Sequence, residues 1–164
     1  MGKKNKEAVK PNAPKQIQNR RARHDYEIVK TVEAGLVLAG SEVKSIFLGN
    51  AHLTDAYCRI QNNEAFLINF DIEPYKYTSI YSQERRRDRK LLLHRKEIAF
   101  LESQTLEKGF ALIPLRVYFS HGKAKVEIGI GRGRKLYDKR EKIAEQDLKR
   151  SLARELSYRM RDVQ

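Results

Sequence analysis

The sequence predicts a mainly β protein, a small closed antiparallel β-barrel flanked by short helices, and three observations point there. Five or six short stretches of alternating apolar residues fall within residues 23–137, mostly in sequence-adjacent pairs. Helical patterns in the same span are few and short. Closing the sheet removes exposed strand edges without demanding a large core, which suits a chain of 164 residues with 40% hydrophobic content. An open sheet against helices is the rival arrangement.

Taken in order, residues 1–18 hold two prolines and five lysines with little apolar content. They read as a basic arm that is disordered alone, because such a segment buries too little to offset its ordering entropy. From Tyr26 the pattern alternates through Ile28 and Val32. Gly35 then precedes the short run Leu36 to Ala39, which predicts a strand, a bend and a second short strand. In GSEVKSIFLGN, Ser41 is suited to cap a short helix with Val43, Ile46 and Phe47 on one face and Gly49 at its end. Ala56, Cys58 and Ile60 alternate, Asn62-Asn63 turns the chain, and Phe66, Ile68, Phe70 and Ile72 follow on a single side. That is a hairpin with a buried face, in which Cys58 is a small core residue.

The polar, arginine-rich segment from Pro74 to Lys90 is longer than a compact domain holds without a use, so it reads as a functional loop. A helix is predicted from His94, a cap with Glu97 three residues on, through Ile98, Leu101 and Thr105 to Gly109. Two strands follow. Leu115, Val117 and Phe119 alternate after Pro114, which marks an edge or a bulge, and His121-Gly122 turns into Val126, Ile128 and Ile130. The glycines in Gly129-Ile130-Gly131-Arg132-Gly133 match no phosphate loop; alternate glycines bare one strand face to a close backbone neighbour or to RNA. Beyond Tyr137 there is neither Gly nor Pro, and Ala144, Leu148, Leu152, Leu156 and Met160 recur every fourth residue. This narrow stripe predicts a helix that orders against a partner, with a docked terminal helix as the alternative.

The net charge of +13 is gathered rather than spread. Residues 1–22 carry seven basic and one acidic side chains, and residues 84–96 carry seven against two. Clustering of this kind points to a phosphate-rich partner. A single cysteine and four scattered histidines exclude a disulfide framework and a zinc cluster. His24 and Asp25 adjoin, but strand neighbours point to opposite faces, and His52 and His121 sit in expected turns. No catalytic residue, metal ligand set or cofactor is predicted. No apolar run nears the roughly 20 residues that span a bilayer, and no secretion signal opens the chain. A cytoplasmic protein without a membrane partner is expected.

Six fragments then fall in a telling order: NRRARHDYEI (19–28), EAG (33–35), GSEVKS (40–45), DAY (55–57), RKLLLH (89–94) and KLYDKR (135–140). Together they resemble the SsrA-binding protein family, SmpB, over residues 17–150. The resemblance implies an OB-like closed antiparallel barrel with two or three flanking short helices and a flexible basic C-terminal tail. It divides the chain into an arm (1–18), an RNA-binding barrel (19–137) and a tail (138–164) that is disordered alone and helical on the ribosome. It implies a monomeric, non-enzymatic adaptor that binds the tRNA-like domain of tmRNA and rescues stalled ribosomes. Its implied partners are tmRNA, the ribosomal decoding centre and mRNA channel, and elongation factor Tu with alanyl-tmRNA.

Matched residue by residue, the resemblance assigns tmRNA binding to Asn19, Arg23, Glu33, Lys44, Arg87, Arg89, Lys90, Leu92 and His94. Their chemistry suits phosphate, 2′-hydroxyls and unstacked bases. It assigns the ribosome to Lys135, Tyr137, Asp138, Lys139 and Arg140. The chain departs from the family pattern at Arg85, where proline is usual, at Asp71 for His, at Phe47 for Arg and at Gly131 for Ala. A generic single-strand binder and a nuclease using His24, Asp25 and His94 are the rival functions; the former expects exposed aromatics interleaved with basic residues.

Overall fold

The computed structural model describes residues 13–78, 83–134 and 136–161. By its internal contacts the chain divides into two units, residues 1–132 and residues 133–164. The first unit is built on a seven-stranded sheet. Its strands are β1 (Ile17–Gln18), β2 (Tyr26–Leu36), β4 (Tyr57–Gln61), β5 (Glu64–Ile68), β7 (Arg89–Leu92), β8 (Ala111–Ser120) and β9 (Lys123–Gly133). Their order is β1-β8-β9-β2-β7-β5-β4, and β3 (Ala51–His52) pairs separately with β6 (Asp71–Ile72). The pairs β1–β8, β2–β7, β4–β5, β5–β7, β8–β9 and β3–β6 are antiparallel. Helices α1 (Ala22–Asp25), α2 (Gly40–Leu48) and α3 (Arg95–Lys108) complete this unit, and α4 (Leu136–Arg161) forms the second. The architecture is mixed α/β rather than mainly β, because the four helices together hold about as many residues as the strands. Among the described residues no helix is long and apolar enough to cross a membrane.

The two long hairpins follow their alternation. Asn62 and Asn63 both take positive φ, as a tight two-residue turn requires, and Cys58 faces Leu67 across the β4–β5 pair. Val126, Ile128 and Ile130 on β9 are fully buried with Val117, Leu67, Leu91, Ile46 and Phe70. Cys58 is buried as expected, and desolvation pushes its thiol far up. Pro114 coincides with the register shift between Pro114 and Arg116 on β8. That irregularity reverses the alternation: Leu115 packs with Ala22 and Ile113 in a second cluster, while Val117 stays in the main core.

Seven expectations need correction. Ile17 and Gln18, assigned to the arm, pair with Val117 and Arg116 of β8. The bend at Gly35 is absent, since β2 runs unbroken through Leu36 and Gly35 lies opposite Leu92. A Cβ at Gly35 would stand 3.1 Å from that of Leu92, so this glycine serves close strand packing rather than a turn. In β5 the core side is Ala65 and Leu67, and Phe66 shares the opposite face with Arg59. Asn69, at φ 57°, then reverses the parity and returns Phe70 and Ile72 to the core. Ala39, not Ser41, is the N-cap residue of α2, its N–H donating to Glu42 at 2.8 Å, and Thr105 is exposed. Lastly, His52 lies in β3 rather than a turn, and His24 and Asp25 share α1, with Nδ1 3.0 Å from Oδ1.

Gly131 decides between the two readings of the glycine run. A Cβ there would lie 2.2 Å from the carbonyl oxygen of Glu27, a backbone atom that cannot rotate away. The bare face is filled by β2. Gly131→Ala is therefore expected to push β2 off β9 and to lower stability by about 1–3 kcal/mol, read as a lower midpoint in thermal unfolding. An unchanged midpoint would mean that β2 yields freely.

Candidate nucleic-acid interface

Strand parity builds the site. Along β7, Arg89 and Leu91 point inward while Lys90 and Leu92 point outward. On neighbouring β2, Ala34 and Leu36 are buried and Glu33 is exposed. Immediately after β7, His94 begins α3 with its backbone N–H donating to Glu97 Oε2 at 2.8 Å, which leaves the imidazole exposed at the helix entrance. The result is a groove of about 510 Å³ lined by Glu33, Lys90, Leu92, His94, Glu97 and Lys125 among others. Leu92 is 56% exposed within it. Four of the nine residues assigned to RNA thus converge in one place.

Glu33 is held rather than free. Lys125 Nζ donates to Oε1 at 2.5 Å, and the Tyr118 hydroxyl donates to Oε2. The Lys125 hydrogen bond, then that from Tyr118, hold the Glu33 carboxyl below its ordinary pKa. Burial and the same bond push the Tyr118 phenol up to about 12. Lys90 in turn pairs with Glu64. A fixed carboxylate, two ammonium groups, an exposed leucine and an imidazole together can accept from ribose or base donors, attract phosphate and support an apolar ring face. Tyr118 and Lys125 were not among the residues assigned from sequence. They face each other across the β8–β9 hairpin, opposite in parity to buried Val117 and Val126, so the outward half of that alternation carried the signal.

The other assigned residues lie elsewhere. Arg89 is 0% exposed, so its side chain lies inside the fold and not on the groove surface. Its guanidinium donates to Glu42 at 3.0 Å and to the carbonyls of Phe70, Arg87 and Arg85 at 2.5, 3.1 and 3.1 Å. Arg87 grips the same carboxylate at 3.0 and 2.6 Å, so the arginine-rich loop is pinned to α2. Burial opposes ionisation of Glu42, but hydrogen bonds from Arg87 and the Ala39 amide and the charge of Arg89 leave its pKa lowered. Asn19 spends its amide on the carbonyls of Leu53 (3.2 Å) and Pro114 (3.1 Å) and accepts from the Ala22 N–H, bracing α1. Arg23 is exposed on α1, and Lys44 is exposed on α2. Lys135 lies outside the described residues; Tyr137, Asp138, Lys139 and Arg140 lie in the first turns of α4.

All four departures from the family pattern have partners here. Arg85 Nε donates to Asp71 at 2.5 Å, so two departures meet as one ion pair, joined by Arg86 at 3.2 Å. Phe47 packs against Phe119 with ring centroids 6.1 Å apart. Gly131 admits the Glu27 carbonyl, as described above.

An antiparallel sheet that carries a solvent-open polar groove on its outer face has the geometry of a binding scaffold. The profile of the family described as SmpB protein matches residues 16–158. The chain is 53% identical over 137 residues to the SsrA-binding protein of Desulforudis audaxviator (strain MP104C), covering 84% of this chain and 90% of that one. It is 51% identical over 144 residues to the SsrA-binding protein of Acetivibrio thermocellus, covering 88% and 94%. A solved chain described as "tmRNA-SmpB: a journey to the center of the bacterial ribosome" superposes with a TM-score of 0.66 at 44% identity, covering 80% of this chain and 95% of that one. The chain belongs to the SmpB family.

Proposed function

We propose that this chain is the SsrA-binding adaptor of trans-translation: it binds the tRNA-like domain of tmRNA and, with elongation factor Tu, brings alanyl-tmRNA to the empty A site of stalled ribosomes. It makes and breaks no bond. The observation that carries the reading is the convergence of Glu33, Lys90, Leu92 and His94 in one groove of a chain in this family. We place tmRNA there, with Lys125 as an added cation and Tyr118 holding the Glu33 carboxylate in register. Arg87 and Arg89 act behind the groove by fixing the loop that leads into β7. The sheet closes into an OB-like barrel in this reading; what supports closure is that β4, last in the strand order, comes up against β8, second from the other end. The basic tail from Tyr137 onward enters the vacant mRNA channel, and the protein works in the cytoplasm.

Glu33→Ala and Leu92→Ala are each expected to weaken tmRNA binding about tenfold or more without changing the circular dichroism spectrum. For Glu33 the magnitude follows from a charge-assisted hydrogen bond, worth roughly 1.5–3 kcal/mol. Collapse of the fold, or unchanged affinity of both variants, would remove the groove from the interface. Folded tmRNA should also outcompete an equal mass of single-stranded RNA, and equal competition would favour the generic binder.

A further inference from the structure

The region after β6 presents an aromatic residue in an unusual way. Glu73 N–H donates to the Asn50 carbonyl at 3.0 Å, Pro74 restricts the backbone, and a turn follows in which the Thr78 N–H and hydroxyl both donate to the Tyr75 carbonyl, at 3.0 and 2.8 Å. The corner residues of that turn are Lys76 and Tyr77. Tyr77 is 84% exposed, so its ring adds almost nothing to the core. It is nevertheless oriented, because the Tyr75 ring meets it edge-on at 5.6 Å and 65°. Lys44 Nζ lies 5.3 Å from the centre of the Tyr75 ring. The nearest acid in the chain, Glu73, is drawn toward His52 at 3.6 Å and Arg85 at 3.9 Å.

An exposed ring on a hydrogen-bonded turn, with Lys76 beside it in the turn and Lys44 Nζ over the adjoining Tyr75 ring, matches the chemistry of a base and its flanking phosphates. We propose that Tyr77 stacks on an unpaired base of the protein's RNA partner while Lys44 and Lys76 attract the adjoining phosphates. This rests on the RNA-adaptor reading above, but concerns a surface separate from the Glu33 groove, none of whose lining residues it uses. The base can come from tmRNA or from ribosomal RNA, and the test distinguishes them.

The chain has no tryptophan, so a Tyr77→Trp variant carries a single indole. Its fluorescence is followed while the full-length chain is titrated with the tRNA-like domain of tmRNA and, separately, with vacant ribosomes. Expected is at least twofold quenching in one of the two complexes, and about 5- to 160-fold weaker binding of that same RNA by Tyr77→Ala, the range that base–aromatic stacking spans. Tyr77→Phe keeps the affinity. Full emission in both complexes, or undiminished affinity of Tyr77→Ala, overturns the proposal and leaves the adaptor reading intact. A change that arises only when elongation factor Tu joins the tmRNA complex assigns the ring to a protein and also overturns it. If the unsubstituted chain binds neither RNA, both readings fail.

Discussion

Glu42→Ala is expected to destabilise the folded chain by about 3–5 kcal/mol, the loss typical of removing one partner from a buried ion pair. Glu42 is the only carboxylate bonded to Arg89 among the described residues. Arg89 is fully buried on β7, which lies between β5 and β2, so its charge would remain in the interior with only backbone carbonyls as hydrogen-bond partners among those described. The same substitution frees Arg87 and removes the acceptor of the Ala39 N–H at the start of α2. Urea unfolding followed by circular dichroism measures it. A loss below about 1 kcal/mol would mean that water reaches Arg89 at little cost.

The same carboxylate sets an acid limit. Its pKa is lower folded than unfolded, so its contribution is complete above the ordinary glutamate value and disappears as the pH falls through the lowered one. Asp71 has the same sign: burial opposes its ionisation, but hydrogen bonds from Arg85 and Arg86 outweigh that. In Glu42→Ala the acid limb of a stability–pH curve should accordingly be shallower, with Asp71 still contributing.

This network also marks where sequence reading stops. RKLLLH pointed to RNA only through the family resemblance, and strand β7 was missed because the segment from Pro74 to Lys90 reads as a loop; in the fold Lys90, Leu92 and His94 stand where alternation and a helix start put them outward. Alternation equally forbids Arg89 from sharing that face with Lys90, yet nothing local says which parity is buried. An arginine belongs inside only if a carboxylate waits there, and Glu42 is 47 residues away in sequence. The error in β5 has a different cause: the switch at Asn69 is a single residue in a left-handed conformation, and every apolar position after it lands on the other face. Gly35 looks like a bend residue by composition, and at Gly131 the sequence leaves packing and RNA as alternatives, but each is explained by a strand that approaches from elsewhere in the chain. What was legible was periodicity and capping; what was not depended on contacts across the fold.

Truncation after Tyr137 carries the largest functional effect. Tagging of stalled ribosomes is expected to vanish, while affinity for tmRNA stays within about threefold and the body unfolds at an unchanged midpoint. The stability part follows from packing within the first unit: among the described residues the main core is built from positions between Ile17 and Ile130, and the second cluster from Ala22, Ile113 and Leu115. The affinity part follows from charge and placement. Residues 138–164 carry eight basic and six acidic side chains, so their removal takes away little net attraction for a polyanion, and the groove keeps all its lining. The functional loss follows from the tail itself. Leu148, Leu152 and Leu156 on α4 are each at least half exposed, and isolated helices with so thin an apolar stripe gain their stability from what they meet. In the proposed reading a vacant RNA channel supplies that surface, and the truncated chain would have nothing to put there. A tmRNA affinity weakened tenfold or more would show that body and tail bind as one surface, and tagging that persisted would show that the body alone answers for the missing codon.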